Sequence, residues 1–274
     1  MQTTTQQVLS ALVEPLTRIA RQAGTAIMAI YERDPAAGQG SDVLVQTKAD
    51  DSPLTLADLA AHQVIAQALA SAYPEIPLVS EEGREGRSDE ASASLFWLVD
   101  PLDGTKEFLA RNGEFTVNIA LIEAGCPVFG VVHVPVTGET YWGGKGLGAF
   151  RGRDGKVEAI HVAAPVPAGG RHRVVASKSH LNSATQAFIE ALGSVELIQA
   201  GSSLKFCRVA EGAAEIYPRL APTSEWDTAA AQAVLEGAGG VVVDLAGKSL
   251  VYGKRDILNP SFIAASVHPG GDSQ

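Results

Sequence analysis

Residues 94–105 read SLFWLVDPLDGT. The apolar run has the composition of a buried strand, predicted to stop at the Asp100 carboxylate, at a strand end where loops carry functional groups. Pro101 fixes one φ angle and Gly104 permits a tight turn, so Asp100 and Asp103 can converge on one point. The following TKEF opens as a short helix whose N–H groups face an anion. Two carboxylates and the Leu102 carbonyl are hard oxygen donors of the kind Mg2+ prefers. Aspartates also cap turns, so the motif by itself leaves both uses open.

Upstream, Leu9, Leu12, Val13, Leu16, Ile19, Ala23, Ile27 and Ile30 recur at three- and four-residue steps. This predicts an amphipathic helix, with Pro15 in its first turn or at a kink. VLVQTK (43–48) reads as a strand, and a second helix runs from about Leu56 to Ala70, started by Ser52-Pro53 or Thr55. GREGRSDEASAS (83–94) reads as a polar surface loop. Downstream, EFTVNIALIEAG and PVFGVVHVPVTGETYWG are β-rich, with turns at Ala124-Gly125 and Thr137-Gly138. PVPAGG (165–170) is the expected boundary between an N-terminal α+β half, residues 1–165, and a C-terminal α/β half, residues 166–274. There RVVAS, VELIQA, AEIYP and GVVVDL read as strands, and LNSATQAFIEAL, SLKFCRVAEG and WDTAAAQAVLEGA as the helices between them.

Other acids stand at the mouths of apolar elements. LVSEE ends a short strand in Glu81 and Glu82, which could equally be a solvated acidic loop. Ser224-x-x-Asp227 and Thr55-x-x-Asp58 both fit helix-capping boxes. Each acid has a simple local explanation, but four such sites are harder to dismiss together. Two carboxylates ~4 Å apart repel by about 4 kcal/mol at an effective dielectric of 20, so a cluster of them requires divalent cations to stay ionised.

The chain has 274 residues, 46% hydrophobic and 19% charged, which excludes a membrane channel, a collagenous fibre and a disordered tail. Acidic residues outnumber basic ones by 31 to 21, a formal charge of −10. Such a surface repels polymeric nucleic acid, and a small anionic substrate would need positive charge brought to its site. Cys126 and Cys207 form no disulfide framework, and the six histidines lack zinc spacing. No basic stretch precedes an apolar core and no apolar run nears the ~20 residues of a membrane span, so a cytoplasmic protein is expected.

KADDSPLTLAD, SEE, WLVDPLDGTKEF and WDTAA, in this order, resemble the inositol monophosphatase superfamily of Mg2+-dependent, lithium-sensitive phosphatases. KEFLARNGEFTVNIALIE and GSSLKFCRVAEGAAEIYPRLAPTSEWDTAAAQAV resemble, within it, the CysQ-type 3'(2'),5'-bisphosphate nucleotidases. The resemblance runs from about Ala20 to Ile263 and implies a mixed α/β fold, a layered αβαβα sandwich. It implies two or three Mg2+ ions. Glu81, Asp100 and the Leu102 carbonyl would hold one, Asp100, Asp103 and Asp227 a second, and a weaker third would sit near Glu81 and Asp58. Paired ions about 3.5–4 Å apart can clamp both oxygens of an in-line displacement. Asp58, Thr105 and Glu81 would be the catalytic set, Thr105 with Asp58 orienting the attacking water.

The resemblance further implies a substrate site of Leu102, Asp103, Gly104, Thr105, Ser179, His180, Gly201, Ser202, Ser203, Lys205, Arg219 and Asp227. Lys205 and Arg219 would suit a second phosphate, and the expected reaction removes the 3'-phosphate of adenosine 3',5'-bisphosphate. 3'-Phosphoadenylyl sulfate is a related candidate substrate, within sulfate assimilation. An inositol- or sugar-monophosphate phosphatase is the enzymatic alternative, although a neutral polyol offers no second anion to Lys205. A non-catalytic metal- or nucleotide-binding protein would not need the Asp58–Thr105 pair. Glu225 is expected to add negative charge near the pocket. Family analogy leaves room for peripheral attachment to the inner membrane, for which no basic amphipathic segment is present. Monomer and homodimer both stay open at this point.

Overall fold

The computed structural model describes residues 2–33, 46–47, 53–83, 93–167, 169–177 and 182–268. In chain order, α1 (Gln2–Tyr31) is followed by β1 (Gln46–Thr47), β2 (Pro53–Leu54), α2 (Leu56–Ala72) and β3 (Leu78–Ser80). Next come β4 (Leu95–Asp103), α3 (Thr105–Leu109), β5 (Thr116–Glu123), β6 (Cys126–Val134), β7 (Glu139–Gly144), β8 (Gly148–Arg153) and β9 (Lys156–Ile160). The remainder is β10 (His172–Ala176), α4 (Ser183–Ala191), β11 (Val195–Gln199), α5 (Leu204–Ala210), β12 (Ile216–Arg219), a 3-10 turn (Glu225–Asp227), α6 (Ala229–Gly237), β13 (Val241–Asp244) and β14 (Phe262–Ala265).

β3 to β9 form a seven-stranded sheet in sequence order, antiparallel except for the parallel β3–β4 pair. A second sheet has the order β11-β10-β12-β14-β13 and mixes parallel with antiparallel pairs. Successive side chains of a strand point to opposite faces, and β4 shows the consequence. Trp97 and Val99 join the core under α1 and α2, whereas Phe96 and Leu98 join the core of α5, α6 and the second sheet. α4 covers the far side through Ile189, Val174 and Ala176. The layers are therefore αβαβα, as expected from the resemblance.

Pro15 lies inside α1, well beyond its first turn, which removes the first of its two expected placements. Other local differences from the sequence reading have physical causes. β4 does not stop at Asp100 but continues to Asp103, with a register shift against β5 between Asp100–Asn118 and Asp103–Thr116. A bulge tolerates Pro101, which has no N–H to give the ladder. β14, which the sequence reading omits, pairs with both β12 and β13. The strand expected at 43–48 is described only as Gln46–Thr47, and most of the 83–94 loop lies outside the described residues. No described helix is long and apolar enough to cross a membrane. Cys126 and Cys207 are free thiols.

Candidate active site

Asp100 is delivered by a strand buried on both faces and is itself buried. Its Oδ1 accepts the Leu102 N–H at 3.0 Å, which closes the bulge around Pro101. Gly104 has φ 92° and a Cβ there would meet Ser202 Oγ at 2.1 Å, so this turn needs glycine twice over. α3 begins at Thr105 as expected. Glu81 follows β3, whose parallel pairing to β4 sets Ser80 against Val99, and its N–H donates to the Val99 carbonyl at 3.1 Å. That register brings Glu81 to Asp100, with which it shares a side-chain hydrogen bond.

Asp58 does two things. As the N3 residue of α2 it closes the capping box: Asp58 Oδ2 accepts from the Thr55 N–H at 2.8 Å and from the Thr55 hydroxyl at 2.5 Å. Its other oxygen, Oδ1, lies 3.3 Å from Thr105 Oγ1. Thr105 Oγ1 is also 3.4 Å from the Leu102 carbonyl, so its single proton is donated to one or the other. Asp227 repeats the pattern, with Oδ2 accepting from the Ser224 N–H at 2.8 Å in a second capping box. It sits in the 3-10 turn ahead of α6 rather than in the first turn of that helix.

A cleft of about 330 Å³ opens beside this acid cluster, with Thr105 and Asp227 in its lining. Asp103, Gly104 and Thr105 line it, and so do Ser202, Lys205, Arg219 and Asp227. Lys205 is buried, with Nζ 5.5 Å from the Tyr217 ring centroid. Arg219 donates through Nη2 to the Pro222 carbonyl at 3.2 Å, while its buried Nε has no hydrogen-bond partner among the described residues. Ser203 is a different matter. It is buried, its N–H donates to Asp103 Oδ2 at 2.6 Å, and its hydroxyl is engaged by Asn118 Oδ1 at 2.8 Å and Thr116 Oγ1 at 2.9 Å. It braces Asp103 instead of lining the cleft. Ser202 Oγ lies within reach of the Asp103 and Glu114 carbonyls, at 2.9 and 2.7 Å. Gly201 packs so close to Glu114 that a Cβ would meet the Glu114 carbonyl at 2.7 Å. Ser179 and His180 lie outside the described residues.

Glu225 corrects an expectation. Its carboxylate turns to the backbone N–H groups of Gly253 and Lys254, at 2.9 and 3.0 Å, and to the Lys254 ammonium. Its charge is neutralised there, so it adds none to the cleft. Conversely, Thr116 and Asn118 were not singled out by sequence reasoning, although Asn118 Nδ2 reaches Asp103 Oδ2 at 3.4 Å. The signal was present: two polar residues at same-face positions of an otherwise apolar strand.

Burial pushes Asp100 well above the usual carboxylate range, reinforced by the charges of Glu81, Asp103 and Asp227. Asp227 is pushed well up by burial and by Asp103, against the opposing pull of the Ser224 N–H. Burial raises Asp103 to about 6 although Lys205 and the Ser203 N–H pull it down. Burial also lowers Lys205 to about 8, with Asp103 opposing and Arg219 assisting. Four carboxylates thus feel one another in a poorly solvated place, an arrangement a divalent cation relieves. Among the described residues no three His, Cys, Asp or Glu side chains already converge on one point as a metal site would require.

The inositol monophosphatase family model matches residues 8–271. The chain belongs to the inositol monophosphatase family. It is 45% identical over 252 residues to the 3'(2'),5'-bisphosphate nucleotidase CysQ of Salmonella typhimurium, covering 92% of this chain and 98% of that protein. The CysQ of Escherichia coli K12 is 44% identical with the same coverage. Among solved structures, CysQ from Bacteroides thetaiotaomicron superposes with a TM-score of 0.77 at 43% identity, over 91% of this chain and 95% of that one. The extragenic suppressor protein suhB of Bartonella henselae gives 0.76 at 26% identity, over 94% and 95%. Enzymes of this family are generally Mg2+-dependent.

Proposed function

We propose that the chain is a phosphomonoester hydrolase that removes the 3'-phosphate of adenosine 3',5'-bisphosphate, giving AMP and phosphate. 3'-Phosphoadenylyl sulfate is a second substrate of the same class. The CysQ relatives are named as 3'(2'),5'-bisphosphate nucleotidases, and removal of the 3'-phosphate would recycle a by-product of sulfate assimilation. The observation that carries it is the pair of cations in the cleft. A protein of formal charge −10 buries Lys205 and places Arg219, with an unpartnered Nε, on the same cleft as Asp103 and Asp227. One phosphate can meet the carboxylate side and the other the cations.

The donor set of carboxylate and carbonyl oxygens has the hard chemistry that suits Mg2+, and the proposal is two or three ions. Glu81, Asp100 and the Leu102 carbonyl would hold one, Asp100, Asp103 and Asp227 another, with Glu81 and Asp58 near a weaker third. Bound there, Mg2+ supplies charge neutralisation and a lowered pKa for water. Asp58 Oδ1 accepts from the Thr105 hydroxyl, whose oxygen can in turn accept from a water, so Thr105 orients the nucleophile and Asp58 takes the proton that follows. The Gly104 and Thr105 N–H groups hold phosphate oxygens. Ser203, Thr116 and Asn118 keep Asp103 aimed. The carboxylates come mainly from the half spanning residues 1–165, and the phosphate-selecting cations from residues 166–274. The proposed place of action is the cytoplasm, consistent with a CysQ-type enzyme.

The test is phosphate release, with Mg2+, from adenosine 3',5'-bisphosphate, inositol 1-phosphate and fructose 1,6-bisphosphate in parallel. The bisphosphonucleotide is expected to have the highest kcat/KM. Faster turnover of inositol phosphate would reject the assignment.

A further inference from the structure

We propose that Glu225 is a positioning residue: with Lys254 it clamps the 251–259 segment onto the 3-10 turn and thereby sets the orientation of Asp227. The inference rests on Asp227 acting as a metal ligand.

Segments 223–225 and 257–259 run antiparallel, bridged at Ser224–Leu258. The Glu225 N–H donates to the Ile257 carbonyl at 2.9 Å, and the Asn259 N–H to the Thr223 carbonyl at 2.8 Å. The Glu225 side chain, buried to 3% exposure, closes one end of this pairing by accepting from Gly253, Lys254 and the Lys254 ammonium. The Lys254 ammonium also donates to the Val251 carbonyl at 2.8 Å. Asn259 closes the other end, donating to the Ser224 carbonyl at 2.8 Å and to Thr228 Oγ1 at 3.0 Å. Thr228 Oγ1 in turn donates to the Glu225 carbonyl at 3.2 Å.

Asp227 depends on this clamp because its own bonds are to clamped atoms. Its Oδ2 takes the Ser224 N–H, and its N–H donates to the Ser224 carbonyl at 3.2 Å. Ser224 is held by the 257–259 segment, so a loosened clamp moves Ser224 and Asp227 together. A turn of three residues has too few internal bonds to hold itself. A buried carboxylate with two backbone donors and an ammonium is a stiff fixture, because releasing any donor leaves charge unpaired.

The experiment is thermal denaturation against Mg2+ concentration without substrate, for the wild type, Glu225→Gln and Lys254→Met. Glu225→Gln is expected to raise the Mg2+ concentration for half the stabilisation about tenfold, the scale of one charge-assisted hydrogen bond. Lys254→Met leaves the two backbone donors in place and should raise it about threefold. At saturating Mg2+, KM for adenosine 3',5'-bisphosphate should stay within about twofold of wild type in both. A wild-type Mg2+ midpoint in either folded variant, or a changed KM with an unchanged midpoint, would overturn the clamp. Lys254 is 31% exposed and its variant serves if Glu225→Gln fails to fold. A wild-type protein indifferent to Mg2+ would instead overturn the metal reading beneath it.

Discussion

Two capping boxes of the same pattern, Thr55–Asp58 and Ser224–Asp227, serve one cleft in different ways. In both, one carboxylate oxygen accepts from the backbone of the cap residue. Asp58 stands at the head of a helix of 17 residues, which fixes it locally. Asp227 stands in a turn of three residues, fixed by a segment some thirty positions later in the chain. A cap therefore leaves such a residue open to a second use. The cap holds one oxygen of each acid, Asp58 Oδ1 lies beside Thr105 and Asp227 lines the cleft, and what differs is how far along the chain the support lies. The cleft repeats this contrast: residues 103–107 build one part from consecutive positions, whereas Ser202, Lys205, Arg219 and Asp227 come together only by folding.

The sharpest way to break the comparison is Asp227→Asn beside Asp58→Asn. Both should lower kcat by about a thousandfold or more, as expected for acids acting as part of one unit. Asp227→Asn should reduce the Mg2+-dependent rise in Tm far more than Asp58→Asn; an equal reduction in both would erase the distinction. Lys205→Met should come next, raising KM for the bisphosphate by about tenfold or more while changing KM for inositol phosphate far less. An equal effect on both substrates would assign Lys205 to bracing Asp103 alone.

His133 gives a control away from the cleft. It is buried, its Nδ1 lies 3.0 Å from the Glu139 carbonyl and 2.9 Å from Thr140 Oγ1, and burial lowers it to about 4, with Arg21 assisting. The unfolded chain binds its proton near pH 6.5, so the stability it contributes is present above that value and is lost as pH falls toward 4. Between pH 7.5 and 5, His133→Gln should remove about 2 kcal/mol of the acid-induced loss, read from denaturation at saturating Mg2+. A parallel loss in variant and wild type would show that the imidazole does not titrate in this window. The smallest effect is Thr55→Ala, about 1 kcal/mol of stability, with Ser224→Ala costing less because the Thr55 hydroxyl bonds Asp58 and the Ala57 N–H whereas Ser224 holds Asp227 through its backbone N–H.

Much of the fold was legible because its signals are local. The continuous apolar run of 95–99, the β-rich composition of 116–122 and the three- and four-residue steps of α1 each need only neighbours to be read. β14 was not legible: FIAA is short, follows Pro260-Ser261, and becomes a strand because β12 and β13 present edges on both sides. In the site, Asp100, Asp103 and Asp58 were recognisable as acids at element ends, but Glu225 was assigned to the wrong surroundings. Its neighbours in sequence are cleft residues, and only the fold reveals that the 253–254 N–H groups attract its carboxylate elsewhere.

The sequence by itself determined most of the helices and strands and marked acids at their ends, since hydrophobic period and turn chemistry act over a few residues; the layering was implied by the family resemblance. Tertiary structure alone decided which oxygens face one another, where Lys205 and Arg219 meet the aspartate turn, and that Ser203 braces rather than lines. The reason is electrostatic. Carboxylates can be crowded out of water only where distant segments supply the N–H donors and cations that hold them, and no local rule specifies those partners.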